Sequence, residues 1–310
     1  AYGLATFDLQ NAKFQYEVEW QPTAGGARQS TIGAAGELSV RTTYLADGVQ
    51  YRFRARTISV GVASAWTSYQ TLTAIADTTP PGNLSGVSFA TGQLGRTTYS
   101  FTAPNSANIV RVALYRTASG GSLNKTTDLV TRFAVAPNTA YPNIVDGDSS
   151  RVNLLSNPDF ASDTVWTKGT NWSIAAGVGT KVAPTASQIQ QAITIPTSTV
   201  FRWQFEITAR TAGAVRPRLA DSGNTNISNG TNLNAVGTFR GSITSAAGGT
   251  TQDRFQLSAD SAFAGSVDNA IVFQQTASCA PQGDWDYRLI PENGSGVEGT
   301  ASGPYDVIII

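Results

Sequence analysis

Apolar and polar residues alternate one by one in Phe14-Gln15-Tyr16-Glu17-Val18-Glu19-Trp20, and again near Leu38-Ser39-Val40 and over residues 49–57 and 68–73. A period of two sends alternate side chains to opposite faces of a strand. The runs are split by turn-forming clusters, Pro22-Thr23-Ala24-Gly25-Gly26 and Ala46-Asp47-Gly48. No stretch sustains a helical period, so the chain is predicted to be all-β. Residues 1–76 make a first unit, incomplete at its N-terminal side, with an opening strand over residues 3–9. The prolines of Asp77-Thr78-Thr79-Pro80-Pro81-Gly82 fix an extended backbone and withhold ladder donors, which marks a linker and a boundary near residue 80.

Strand patterns resume over residues 84–90, 97–103, 108–116, 129–136 and 141–145, and a sandwich then needs two more strands. They come only at residues 285–290 and 305–310. The segment opening with Tyr287-Arg288-Leu289-Ile290 repeats the one opening with Tyr51-Arg52-Phe53-Arg54, so that Tyr51, Arg52 and Tyr69 fall on Tyr287, Arg288 and Tyr305. The second copy lacks the strands that should run directly into it. Residues 82–150 plus 279–310 therefore read as one unit, interrupted between its fifth and sixth strands by an insert over residues 152–277. Such an insertion is tolerated because loop-closure entropy grows only logarithmically with length.

Composition narrows the function classes. Lys plus Arg (21) balance Asp plus Glu (21), only 14% of the 310 residues are charged, and no block of like charge occurs. Neither nucleic acid nor membrane insertion is expected, since there is no basic footprint and no apolar run nears the roughly 20 residues that span a bilayer. Histidine is absent, which removes the usual general base and the commonest zinc ligand, so no catalytic residues are assigned and no enzyme is expected. Cys279 is the lone cysteine and reads as a structural thiol. No methionine occurs, even at position 1, so the chain is expected to be a piece of a longer one with further N-terminal domains.

Tyr44-Leu45-Ala46-Asp47-Gly48-Val49-Gln50-Tyr51-Arg52-Phe53-Arg54-Ala55, with its glycine turn and closing strand, resembles the end of a fibronectin type III module. Gly283-Asp284-Trp285-Asp286-Tyr287-Arg288-Leu289 with Glu292-Asn293-Gly294-Ser295-Gly296 resembles it again. Tyr51 and Tyr287 match the core tyrosine of that family's sixth strand. In the insert, Asn153-Leu154-Leu155-Ser156-Asn157-Pro158-Asp159-Phe160 and the finish Gly265-Ser266-Val267-Asp268-Asn269-Ala270-Ile271-Val272-Phe273 resemble the jelly roll of carbohydrate-binding modules. Together these are similar to the C-terminal parts of tail tip attachment and central tail fibre proteins of long-tailed bacteriophages. The fold implied is two fibronectin type III-like sandwiches, the second interrupted by an inserted β jelly roll. The resemblance implies a virion or extracellular location, host-cell adhesion through a bacterial surface polysaccharide or lipopolysaccharide, contacts with other tail tip proteins, and a homotrimer. Two rival readings remain: a structural spacer of the tail tip, and an accessory binding region of a secreted polysaccharide hydrolase.

For glycan binding, Arg202, Gln204 and Glu206 alternate with Phe201, Trp203, Phe205 and Ile207; Arg216 and Arg218 alternate with Val215, Pro217 and Leu219; Arg254 and Gln256 alternate with Phe255 and Leu257. If these strands are neighbours, one face carries all seven polar groups, either as planar donors and acceptors for sugar hydroxyls or as an ordinary solvated face. Trp166, in a polar loop, is either a stacking platform for a sugar or a packed residue, and Trp172 reads as core. The Asn-rich run over residues 224–234 reads as a loop with a turn at Asn229-Gly230. Asp284 and Asp286, with Asp146 and Asp148, make either an acidic rim or separate solvated carboxylates. No cofactor is required, but related jelly rolls hold a structural calcium where Asp159 and Asp268 would meet.

Overall fold

The structure, a computed structural model, describes residues 4–6, 14–35, 39–43, 45–59, 61–248 and 251–310. Its regular elements are all β-strands, and no helix among the described residues is long and apolar enough to cross a membrane. Of the expected opening strand, only Leu4–Thr6 lies within the described residues, paired antiparallel with Ser39–Arg41; Leu38 and Tyr44 lie outside them.

In the first sandwich, the strand Gln15–Pro22 lies between Gln29–Ile32 and Gln50–Ser59, and Gln50–Ser59 also takes Val62–Ala63 and Gln70–Thr73. Tyr16, Val18, Trp20, Tyr51, Phe53 and Ala55 form the buried side, as alternation requires. Outward, Glu17, Glu19 and Gln21 stand directly opposite Arg56, Arg54 and Arg52. Each arginine is engaged: Arg54 donates to both oxygens of Glu19 (2.9 and 3.0 Å), Arg56 pairs with Glu17 (2.7 Å), and Arg52 donates to Gln21 (2.9 Å). The Trp66 ring is stacked by Arg54 and Arg56 (4.6 and 4.4 Å to the centroid), and the Tyr69 ring by Arg52 and Arg54 (4.8 and 4.9 Å). The Tyr69 hydroxyl also donates to Glu19, and these bonds, that from Arg54 foremost, hold the Glu19 carboxyl below its ordinary range.

The strands Ser85–Phe89, Arg96–Thr102 and Ala140–Gly147 form a three-stranded sheet. Facing it is a four-stranded sheet in the order Leu129–Ala134, Ile109–Ala118, Gly283–Asn293, Ser302–Ile309. Tyr99, Phe101, Val112, Leu114, Tyr287, Leu289, Val307 and Ile309 fill the space between. The Tyr287 hydroxyl donates to Asp146 (2.5 Å), and burial drives its own ionisation far above the normal tyrosine range. The two copies of the Tyr-Arg segment pair differently. Tyr51 stands opposite Leu72, whereas Tyr287 stands opposite Tyr305. In the first copy the chain pairs as far as Ile58 with Ala63, leaves the ladder, and rejoins it at Gln70, so Tyr69 is free to reach Glu19.

Between Gly147 and Gly283 the chain builds its own two five-stranded sheets. One runs Thr167–Lys168, Ser187–Ile195, Gln252–Ala259, Val215–Ala220, Ile227–Asn229; the other runs Trp172–Ala175, Val178–Lys181, Ala264–Gln274, Val200–Ala212, Gly237–Thr244. Ile189, Phe201, Phe205, Ile207, Val215, Leu219, Phe255, Leu257, Phe263 and Val267 pack between them with essentially no exposure. Each such side chain contributes roughly 1.5–3 kcal/mol by leaving water, so the insert has a core of its own.

The joints are tightly bonded. Asp148 accepts from Ser150 and Thr276 (both 2.6 Å) and pairs with Arg151 (3.0 Å), which ties the outgoing and returning segments together; the serine hydroxyl leads in holding its carboxyl well below the usual range. Asn293, fully buried, donates to the carbonyls of Asp77 (2.7 Å) and Thr79 (3.0 Å), so the proline linker is fastened to the second sandwich.

Candidate functional site

The outer face of the insert's first sheet derives from the same alternation that buries Phe255 and Leu257: Gln256 and Arg254 leave the opposite side of their strand. Register sets the rest. Gln256 stands opposite Gln190 on one side and Arg218 on the other, Gln190 opposite Thr167, and Arg218 opposite Asn229. A single polar row thus crosses all five strands, with Gln188, Ser258 and Arg216 forming the next row.

Gln256 is the centre of the row and is fully buried. Its Nε2 donates to Gln190 Oε1 (2.7 Å) and to Asn224 Oδ1 (2.6 Å), which reaches over from the loop after Val215–Ala220. That loop is braced by Asp221, which accepts from the Thr225 backbone (2.7 Å) and from Asn226 (3.0 Å). Arg218 donates to Ser258 (2.9 Å), and burial, with the like charge of Arg216 adding to it, makes the Arg218 cation easier to deprotonate than an ordinary arginine. Gln256 Oε1 and Arg218 Nε are buried and have no hydrogen-bond partner among the described residues. Both atoms are closed off from solvent, Gln256 beneath Asn224, and the groups of this face that solvent reaches are Thr167, Gln190, Asn224, Arg216, Arg218 and Asn229, whose hydroxyl, amides and guanidiniums suit a ligand with hydroxyl groups.

The structure divides the seven polar residues expected on one face. Arg216, Arg218, Arg254 and Gln256 are together, but Arg202, Gln204 and Glu206 lie on Val200–Ala212, in the opposite sheet. Their alternation was legible; their neighbours depend on long-range pairing. Arg202 is corrected further: only 4% exposed, it donates to Gln275 (2.9 Å), the Ala280 carbonyl (2.7 Å) and the Ile310 carbonyl (3.4 Å), fastening the insert to the second sandwich. Trp166 is no platform for a sugar. It is 5% exposed, stacked on Phe160 at 4.7 Å, with its indole N–H donated to the Asn157 carbonyl (2.9 Å). A short loop folds back and packs the ring, which polar neighbours in the sequence concealed. Gln190 and Asn224 were the residues missed as site members, although alternation in Ser187–Ile195 and the Asn-rich run were both visible signals.

The acidic rim does not form as a unit: Asp146 accepts from Arg116 and Tyr287, Asp148 from Thr276, Asp286 from the Gly120 backbone, and Asp284 pairs with Arg240 of the insert. Asp268 and Asp159 are brought near each other. Burial raises the Asp268 carboxyl, and the charges of Glu206 and Asp159 add to this against the Asn269 N–H bond. Both Asp268 oxygens accept from Asn269, and among the described residues no group of three or more His, Cys, Asp or Glu side chains is arranged to hold a metal.

No protein family matches this chain, and no curated protein does. Among solved structures it is similar to the enzymatically active domain of bacteriophage CBA120 tailspike protein 4, at 17% identity over 40% of this chain and 21% of that one, with a TM-score of 0.28. The chain thus spans about a fifth of the tailspike structure. It is similar to a structure titled for CBM4 structure and function (13% identity, 39% of this chain and 99% of that one, TM-score 0.29). A third likeness is to carbohydrate-binding modules of the β-sandwich superfamily described for promiscuous specificity (10% identity, 83% and 84% covered, TM-score 0.25). With TM-scores this low, none of them assigns a function to the chain.

Proposed function

We propose that the inserted sandwich is a jelly-roll glycan-binding module, carried by fibronectin type III-like sandwiches in an attachment protein and directed at a bacterial surface polysaccharide. The carrying observation is the row Thr167, Gln190, Gln256, Arg218 and Asn229, which lays planar amides and a guanidinium across a whole sheet, with Gln256 as its buried centre and the other four reached by solvent. Sugar hydroxyls lose water on binding, and such groups replace it with directional hydrogen bonds. A phage tail tip or fibre, trimeric and in contact with other tail tip proteins, is the setting that fits a module held on tandem sandwiches. Repetition of a weak site would then raise avidity without new contacts. The protein acts by binding and performs no reaction.

A second reading, a spacer that stiffens such an assembly, draws on Arg202, Asp148 and the Arg240–Asp284 pair, which fasten the insert to its host. An array of bacterial polysaccharides probed with the full chain separates the two. Binding that is weakened in a Thr167→Ala/Asn229→Ala double variant, with the melting temperature kept, supports the glycan module. No binding to any polysaccharide, even with the chain displayed as a trimer, leaves the spacer.

A further inference from the structure

The charges on the polar face are out of balance. Arg216 and Arg218 stand two residues apart on one strand, close enough for the Arg216 charge to act on Arg218, and neither forms an ion pair among the described residues. Register explains this: the residues directly opposite them on the central strand are Ser258 and Gln256, both neutral. No carboxylate of the neighbouring strands and loops pairs with either arginine: Asp221 accepts from Thr225 and Asn226, Asp253 lies 3.8 Å from Arg254, and Asp260 accepts from the Ala214 and Ala262 backbones.

Two half-buried guanidiniums side by side repel each other, and an anion between them would relieve this. Arginine is the residue best suited to receive one, because its planar fork matches a carboxylate or phosphate in two parallel bonds. The aromatic rings that could stack on a neutral sugar are not available on this face: Trp166, Trp172 and Trp203 are all buried. Recognition here rests on hydrogen bonds and charge.

We infer that this face takes an acidic saccharide, whose carboxylate or phosphate is received by Arg216 and Arg218 while Gln190, Asn224 and Asn229 meet its hydroxyls. The inference rests on the glycan-binding reading and names the class of sugar. Carboxylate and phosphate present the same chemistry to the arginines, and the experiment distinguishes them.

The full chain is titrated against alginate, polygalacturonate, teichoic acid and acidic capsular polysaccharides, each in native, carboxyl-reduced and dephosphorylated form. Native acidic polymer is expected to bind, with affinity falling at least about tenfold after one of the two treatments, falling similarly in the Arg216→Gln/Arg218→Gln double variant, and weakening as salt rises. The melting temperature of the double variant should stay near that of the parent, since neither arginine holds an ion pair. Binding that survives both treatments, or that the double variant retains, overturns the acidic-sugar inference and leaves a neutral-glycan module. No binding to any form of any polymer overturns both.

Discussion

Arg52, Arg54 and Arg56 line the outer face of the first sandwich; Arg216 and Arg218 line an outer face of the insert. Both sets follow from alternation. In the first, the residues opposite Arg54 and Arg56 are Glu19 and Glu17, and Trp66 and Tyr69 lie over the guanidiniums, so these two charges are neutralised from within, while Arg52 donates to Gln21 and lies over Tyr69. In the second, the opposite residues are Gln256 and Ser258, and the charges are left without a partner. The same side chain at the same spacing is a structural brace in one place and an available donor in the other. What decides is the residue across the ladder.

The tryptophans differ in the opposite sense, since Trp66 is on the arginine face and Trp166 is inside. Trp166→Ala is expected to cost the insert about 3–5 kcal/mol, the range for emptying a large aromatic site in a packed core. Thermal denaturation followed by tryptophan fluorescence would show it; an unchanged melting point with lost glycan binding would mean that the ring serves the ligand after all. Ser258→Asp tests the arginine comparison more directly, because it supplies the insert with the kind of partner that Glu19 gives Arg54. Binding to an acidic polysaccharide should fall about tenfold, and stability should hold or rise slightly. Unaltered affinity would show that Arg216 and Arg218 do not receive the anion.

The smallest effect concerns the closed face. Because Glu19 is held below its ordinary pKa, it adds stability that is complete above the unfolded carboxyl's value and fades as pH falls through the lower folded one. Glu19→Gln should therefore flatten the acid side of the first sandwich's stability profile below about pH 4.3, without touching glycan binding. Unfolding curves at stepped pH would reveal a parallel shift instead if Glu19 were only a spectator.

Much of the fold class and part of the site could be read directly. Alternation in residues 215–220 and 252–259 placed Arg216, Arg218, Arg254 and Gln256 on the face opposite Phe255 and Leu257, and the structure agrees on the faces but buries Gln256 beneath Asn224. The strands expected over residues 108–116 and 141–145 occur as Ile109–Ala118 and Ala140–Gly147. Arg202 had the same local signature as Arg218 and yet closes the joint at Ala280 and Ile310, because that depends on contacts made far along the chain. Trp166 was left open between platform and packed residue because its polar neighbours Asp163, Thr164, Thr167 and Lys168 do not show whether the loop folds back over Phe160.

The sequence by itself determined that the chain makes strands and which side chains share a face of each, because an extended backbone reverses direction at every residue. Only the tertiary structure decided which strands lie side by side and in what register. That is why it alone separates Arg54, facing a carboxylate, from Arg218, facing an amide. Whether a charge has a partner is a property of the pair, and the pair is made by residues that the chain keeps far apart.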